Sequence, residues 1–595
     1  MKNIFRKILP GKKGVSIYEE EAVQSPFKSK MKLFITRKLT IIGLLIFFSI
    51  LLSSIFAPLF IPLDREWTDA TQHNIRPGFF FMRYPSELSG NVHNIDAGNN
   101  FAVGVSTNGE FHIWGDIEGV RSHHLNRVPA NMGYITQASA GFSHVLVLND
   151  EGDVFTWGLD AFGLHDIPQS VVNNRITYIH AGSQISIALD ENNQVHIWGN
   201  ENIVNIRAGA IRGYDVRKID SNTSSGLALL ENGTIVPLTN RDLTITRFPD
   251  NMDELQGRFV DMAITRMTGA GVLDDGTVVV WGSPEFGALE VPPHVQGNAV
   301  AIDSGQDHFT VLLRDGTVAS WGFNKHNQAS PPNISNIVAL HVGFYQNYAV
   351  DSQGRIHTWG LRGYVLGTDN FGRCVFSRVV HSGRISLTIG AIATIISNSL
   401  GIIIGSISGY YSGKVDVFLM RFAEVWGAIP TLPTLIILAG LLGTRFPEEA
   451  RMFLLFITMG LLGWPSTARQ VRAQFLEARE QEYVTAARAL GVKTRKIIFS
   501  HIFPNILALV AVRFSLSLAG SILTESGLSF LGLGIREPTA TWGSMLNASM
   551  SSEVIRDFWW RWLPPAIFLS FATISLQIVG DGMREAFDPK IAGKG

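Results

Sequence analysis

Arg513 stands near the middle of an otherwise uncharged run from Ile502 to Thr524. A guanidinium in such a run is costly unless it meets a carboxylate, a polar cleft or water. The carboxylates that the sequence offers are Glu525, at the end of the same run, and Glu424, in a neighbouring one. An ion pair with one of them is the first expectation, and a role in a translocation path is the sharper one. A second candidate set is His112, His196 and His357, each two residues before a tryptophan. Imidazoles are common metal ligands. Their recurrence at one position of separate repeats favours a shared packing or hydrogen-bonding role instead, so no metal is expected. The sequence has no Gly-x-x-x-x-Gly-Lys-Ser/Thr phosphate loop, no Gly-x-Ser-x-Gly elbow and no His-Glu-x-x-His pair, so no catalytic residue is assigned and ATP hydrolysis is not expected of this chain. Cys374 is the only cysteine, which excludes an intramolecular disulfide and a cysteine-based zinc site.

Recognition by a partner is the chemistry offered by residues 482–491, Glu-Tyr-Val-Thr-Ala-Ala-Arg-Ala-Leu-Gly. At helical spacing Tyr483, Ala486, Ala487 and Leu490 share one small apolar face, a pattern suited to a short helix laid into a groove, and Arg488 is counted with the same segment. Gly491 lets the chain turn without a Cβ clash. His501 and Pro504-Asn505 follow at the head of the next apolar segment.

The elements that must position these residues divide the chain in three. At 595 residues it exceeds one core, and its net charge of −1 excludes a generally basic nucleic-acid binder. Mean hydropathy is +0.17, with the apolar residues gathered at the two ends. Residues 39–63 carry no charge and are long enough for a bilayer. Five further candidate spans are Ile385–Tyr411, Phe422–Thr444, Met452–Ala468, Ile502–Thr524 and Trp562–Gly580. Basic residues before the first span, at Lys414 and Arg421, and from Arg469 to Lys496 place those segments, and both termini, in the cytoplasm.

Between the first and second spans the chain repeats. Trp114, Trp157, Trp198, Trp281, Trp321 and Trp359, each followed by glycine, recur with a degenerate copy at Leu238, at intervals of 38 to 43 residues. That period marks stacked supersecondary units. Each unit reads as an apolar strand, an alternating strand, a tight turn and a strand ending in Trp-Gly. Turns such as Asn108-Gly109, Asp275-Gly276 and Asp315-Gly316 supply the positive φ of two-residue hairpins, with Asn192-Asn193 as the exception. One such sheet cannot bury its own faces, whereas seven in a ring can. The expected fold is a polytopic α-helical membrane protein of six spans, with an all-β seven-bladed propeller inserted outside the membrane.

The C-terminal third resembles the "C-type" permease subunit of dipeptide, oligopeptide and nickel importers of the ATP-binding-cassette class. The residues that carry the resemblance are Gly367–Arg373 with Gly383–Leu387, Gly409–Gly413, Asp416, Ile429-Pro430, the 482–505 segment, Ile522–Gly534, Trp542-Gly543, Gly580–Gly582 and Asp588-Pro589. Cys374 and Thr485 depart from it, standing where the family often has Asp and Glu. The repeat is similar to the bacterial form of the regulator-of-chromosome-condensation propeller, ahead of the WD repeat, whose Trp-Asp ending it lacks.

The resemblance implies residues 1–38 as a cytoplasmic tail, 39–63 as the first transmembrane helix and 64–91 as a linker. It continues with 92–362 as the propeller, 363–384 as a pre-span segment, and 385–595 as a five-span core whose coupling loop is 470–504. It implies alternating access in the lipid bilayer with a second permease subunit, two cassette ATPases that carry ATP and Mg, and an extracytoplasmic substrate-binding protein. No cofactor is implied in this chain, no nucleic acid is a partner, and the implied substrates are peptides, with nickel complexes or glycosides as alternatives. A membrane-anchored propeller acting as an adhesin or sensor is the alternative, weakened by the retained Ala486, Ala487, Gly491 and Pro504.

Overall fold

The computed structural model describes residues 34–587, apart from 62, 64–66, 79–80, 119–122, 201–210, 212, 239–242 and 443–446. Most of the expected cytoplasmic tail, Thr444 and Asp588-Pro589 lie outside the described residues. The chain forms two compact units, one comprising the chain up to Thr68 with the chain from Arg373 onward, the other Asp69–Gly372.

The first unit is helical. Its principal helices are α1 (Lys38–Phe60), α2 (Val375–Tyr411), α3 (Gly413–Gly427), α4 (Thr431–Leu442), α5 (Glu448–Arg479), α6 (Glu482–Ala489), α7 (Phe503–Phe530) and α8 (Leu563–Phe587). A core of Ile50, Leu387, Leu518, Ile522, Trp542, Leu569 and Leu576 joins α1, α2, α7 and α8. Along α2, Gly401, Gly405 and Gly409 recur every fourth residue and lie against α5. A Cβ on them would come within 2.5 Å of Thr467 Cβ, the Ala468 carbonyl and Phe475 Cβ respectively. Only glycine lets two helix backbones approach this closely, and the approach sets α2 polar groups beside α5 polar groups.

Among the described residues four helices are long and apolar enough to cross a membrane: Lys38–Phe60, Val375–Tyr411, Leu509–Phe530 and Trp559–Phe587. The continuous span expected over Phe422–Thr444 is not formed. The chain bends by 64° between α3 and α4, and the pair makes a fifth crossing only if taken together. Pro430 stands at the break and cannot donate a backbone hydrogen bond. The stretch expected as the fourth span, Met452–Ala468, lies inside α5, which goes on to carry Arg469, Arg472, Glu477 and Arg479. The second span starts at Val375, ahead of the expected Ile385.

Among the described residues the second unit holds seven three-stranded antiparallel sheets in chain order, from Val92–Ala97, Phe101–Ser106 and Phe111–Gly115 to Ile337–Val342, Gln346–Asp351 and Ile356–Gly360. The last packs against the first through Tyr348, Val350, Ala97 and Trp114, so the arrangement is β-propeller-like. Each sheet is built from one contiguous stretch of chain. The middle strand of every sheet is buried along its whole length, as His144–Asn149 and Gln346–Asp351 are. Every first strand carries a bulge near its start, at His93, Thr136, Thr177, Arg217, Val260, Val300 and Val338.

The turns between second and third strands differ from the expected two-residue type. Ser106 N donates to the Glu110 carbonyl at 3.0 Å and Gly109 N to the Ser106 carbonyl at 2.9 Å, leaving three residues outside the ladder. Only Gly109 has positive φ, at 80°, and Asn108 does not. A two-residue type I′ turn needs positive φ at both centres, whereas a type I turn closed by a left-handed residue needs it once. Gly152, Gly233, Gly276, Gly316 and Gly354 repeat the pattern, and Asn193 fills it at φ 55°.

Candidate functional site

Helix α6 is the first candidate. Val484, at 0% exposure, and Ala487, at 7%, pack with Val471, Phe475, Ala478, Ile497, Ile498, Ile502 and Ile506. Tyr483, Ala486 and Leu490 point outward, Leu490 at 83% exposure. Ala487 thus departs from the face expected of it. It lies about 60° around the helix from Val484 and is drawn into the same core. The helix ends on Gly491, φ +74°, with Gly491 N donating to the Arg488 carbonyl at 3.0 Å and Val492 N to the Ala487 carbonyl at 3.1 Å. This pair of bonds, with Val492 packed on the core beneath, is the Schellman ending. Nothing lies within 4 Å of a Cβ built on Gly491, so backbone conformation alone selects the glycine.

The neighbours of α6 are tied to it. Asn505 Nδ2 donates to Tyr483 Oη and to the His501 carbonyl, both at 3.0 Å. The Arg488 guanidinium lies 5.9 Å from the Tyr410 ring centre, within cation–π range. Pro504 has no N–H for the carbonyl four residues before it, and the chain takes a π-helical turn over Ile497–Ile502 before α7 starts.

Arg513 is the second candidate, and no expected ion pair forms. Glu424 pairs with Arg421 at 2.7 Å on an exposed helix face, and Glu525, 4% exposed, accepts the Ser529 hydroxyl at 2.7 Å. Arg513 Nη2 instead donates to Ser466 Oγ at 2.6 Å. Its cleft between α2, α5 and α7 is lined by Asn398, Thr467, Gln470 and Val471 among others. Glu525 lies twelve positions further along the same helix, about 18 Å away, and is buried among hydroxyls.

In the second unit the repeated residues hold the ring. Trp157, Trp198, Trp281, Trp321 and Trp359 each donate Nε1 to a carbonyl of the connection preceding their sheet: Leu125, Leu164, Ile245, Ala288 and Gln328, at 2.8 to 3.0 Å. Trp114, in the first sheet, donates to Tyr348 Oη of the last at 3.1 Å. His196 Nε2 meets Asp190 at 3.0 Å and His357 Nε2 meets Asp351 at 3.1 Å. Each aspartate also accepts two backbone N–H groups of its turn, from Asn192 and Gln194 or from Gln353 and Arg355. These bonds hold the Asp351 carboxyl below the usual range although burial opposes them. His112 stands at the equivalent place with its Nε2 buried and without a partner among the described residues. No metal-holding cluster of three or more such side chains occurs among the described residues.

Sequence reasoning missed the clasps between first strands. Asp96, Asp220, Asp261 and Asp303 each accept the backbone N–H of the next sheet's first strand, at Ala140, Ile264, Ile302 and Val342, at 2.8 to 2.9 Å. Lys218 Nζ donates to Asp261 at 3.0 Å and to the Ile302 carbonyl at 3.1 Å. Burial pushes Asp303 up to about 7 and Asp220 up to about 6, with Lys218 pulling both back. Lys218 itself is held above the ordinary range by Asp261, Asp303 and Asp220, against the opposing effect of burial. The recurring Ile-Asp-Ala/Ser of the first strands was the available signal.

The incoming and outgoing chain of this unit run side by side. Asp69 N donates to Phe371 O, Asn74 N to Asp369 O, and Gly78 N to Tyr364 O, each at 2.8 Å. Tyr345 Oη donates to Asp69 at 2.6 Å, and Gln72 Nε2 to Asn99 at 2.9 Å, so the pair is fastened to the strand connections of the ring.

Residues 401–593 match the family described as the binding-protein-dependent transport system inner membrane component, and residues 135–164 and 299–328 match the regulator of chromosome condensation repeat. The oligopeptide transport system permease protein OppC of Haemophilus influenzae is 42% identical over 231 residues, 39% of this chain and 72% of the relative. OppC of Bacillus subtilis is 39% identical over 226 residues, 38% of this chain and 72% of the relative. Among solved structures, the CRINKLY WD40 ectodomain of the Arabidopsis thaliana receptor kinase ACR4 is similar at 18% identity and a TM-score of 0.36, over 45% of this chain and 96% of that one.

Proposed function

The chain belongs to the peptide-permease family of binding-protein-dependent transport inner-membrane components, and from that premise we propose that it is one permease subunit of an ATP-binding-cassette importer of di- and oligopeptides. It forms half of the translocation pathway with a second permease, and two cassette ATPases on separate chains supply the energy. A substrate-binding protein delivers peptide from outside. Six spans return both termini to the cytoplasm, with the bent α3–α4 pair and α5 as the third and fourth. The seven sheets are the blades of an extracytoplasmic propeller, which docks the binding protein or another envelope partner, or shields the mouth of the pathway.

The observation that carries this reading is α6. A short helix is held from below by Val484 and Ala487 and stopped by Gly491, and it presents Tyr483, Ala486 and Leu490 outward. A lone anchor has no use for an exposed apolar face on so firmly supported a helix, whereas a helix that transmits a partner's motion needs both. Mild-detergent affinity purification from the native membrane tests it, comparing wild type with Gly491→Trp. Recovery of a second permease and of ATPases, with the ATPases lost in the variant, is the expected result. Recovery of the chain alone, indifferent to Gly491, would overturn the reading in favour of a membrane-anchored propeller.

A further inference from the structure

Helix α3 is fastened along α5 near both of its ends. Pro465 stands inside α5 and has no N–H to give the Leu461 carbonyl one turn earlier. Trp426, close to the end of α3, donates its indole N–H to that carbonyl at 2.7 Å. At the other end Asp416, in the first turn of α3, accepts Arg472 Nε at 2.5 Å, Arg472 Nη2 at 2.6 Å and the Ser408 hydroxyl of α2 at 2.5 Å. From 416 to 426 and from 472 to 461 the two helices therefore run antiparallel for about 15 Å. Between the fastenings the Phe422 and Trp464 rings stack with centroids 5.8 Å apart, and the buried Ala423 packs on Trp464 and Ala468.

The stretch of α5 that holds Asp416 also carries α6. Val471, next to Arg472, and Phe475, one turn further, belong to the apolar bed beneath Val484 and Ala487. Just beyond Trp426 the chain breaks at Pro430, and α4 leaves with a 64° bend from α3. One end of the α3–α5 pair thus bears α6, and the other ends at a bend. A guanidinium gripping a carboxylate with two parallel bonds fixes orientation as well as distance. The Asp416 and Arg472 side chains keep 11% and 33% exposure, so this joint is held more firmly than a solvated surface pair.

We propose that α3 and the adjoining part of α5 form a lever with α6 seated at one end and Pro430 as the hinge at the other, and that Asp416 and Arg472 are the positioning residues that keep α3 in step with α6. This rests on the permease reading above. A displacement of α6 by the ATPases is carried by α5 to Arg472, passes to Asp416, and changes the angle between α3 and α4. With the pair broken, α6 still meets the ATPases because its own bed is untouched, yet its motion no longer reaches α4.

The test uses the full chain with its native partner subunits, reconstituted in liposomes, where ATP hydrolysis and uptake of one labelled tripeptide are measured on the same sample. The variants are Asp416→Asn, which keeps the side-chain shape and loses the charge, Asp416→Arg, Arg472→Asp, and the last two combined. Each single variant is expected to recover the ATPases and to hydrolyse ATP within about twofold of wild type, while uptake per ATP hydrolysed falls by about tenfold. The combined reversal is expected to restore most of that ratio. A pair that serves stability alone would lower the amount of assembled complex and leave the ratio unchanged, which would overturn the proposal. A combined reversal no better than its parents would overturn it as well. Wild type that recovers no ATPases or takes up no tripeptide would instead remove the peptide-permease reading and this inference with it.

Discussion

The indole N–H of Trp114 donates to the hydroxyl of Tyr348 at 3.1 Å, joining the first sheet of the ring to the last across 234 positions of sequence. The two rings also meet edge to face, with centroids 5.7 Å apart. Every other repeat tryptophan finds a carbonyl in the connection before its own sheet. The first sheet has no such connection behind it, and the tyrosine of the seventh takes its place. Ring closure thus adds a side-chain bond to backbone ones such as Gly90 N to the Gly354 carbonyl at 2.8 Å.

Tyr348→Phe leaves the Trp114 N–H buried without an acceptor, which costs about 1–2 kcal/mol. Pulse proteolysis of the full-length chain in detergent, read on fragments of the ring, is expected to show that loss. A variant indistinguishable from wild type would mean that water or another group satisfies the indole.

Leu238 occupies the repeat position that tryptophan fills elsewhere, at 0% exposure among Ile211, Ile219, Ala228 and Leu230. Restoring the repeat residue is therefore expected to harm. Leu238→Trp overfills a packed site at about 1–3 kcal/mol, visible as a lower proteolysis midpoint. A gain in stability would show that the fourth sheet holds a cavity.

Lys218 is the cation among Asp220, Asp261 and Asp303. The raised pKa values of Asp220 and Asp303, about 6 and about 7, mean that the folded ring binds their protons more tightly than the unfolded chain does. Their contribution to stability is complete below the unfolded carboxylate range and is lost as pH rises through 6 to 7. Removing the lysine in Lys218→Met extends that loss. The variant is expected to fall on the order of 2–3 kcal/mol below wild type at pH 8, less than for a fully buried pair because the Lys218 side chain is 30% exposed, with the gap narrowing toward pH 5 as Asp220 and Asp303 take up protons. Unfolding midpoints across that range check this, and a pH-independent difference would assign the effect to packing.

Leu490→Asp and Val484→Asp separate surface from support. Leu490 touches little, so its change is expected to shift stability by under about 0.5 kcal/mol while abolishing recovery of the ATPases. Val484→Asp buries an unpaired carboxylate and is expected to lower the amount of folded chain in the membrane. Undiminished ATPase recovery with Leu490→Asp would take that residue out of the contact.

Much of this protein was legible because its signals are local. The Trp-Gly period, the glycine at six of the seven turns, the apolar runs and the Tyr483 to Gly491 segment all express preferences that a few neighbouring residues set by themselves. Local reading failed where direction around an element mattered: Ala487 lies on the edge of the predicted face, and its side was decided by the isoleucines of another segment. It failed again at the turns, where Asn-Gly fits two geometries and the strand register chose between them.

Residue type and order alone established a peptide-permease chain interrupted by a repeat, with a charge at Arg513 that its own helix cannot satisfy. Tertiary structure alone decided what satisfies it. Its partner Ser466 comes from another helix, α5, which Gly401, Gly405 and Gly409 let α2 approach so that Thr467 meets Asn398 beside it. The clasps of Asp96, Asp220 and Asp303 likewise join strands about forty residues apart. A hydrogen bond acts over about 3 Å, so which donor meets which acceptor is settled by distance in space, and only the packed chain sets that distance.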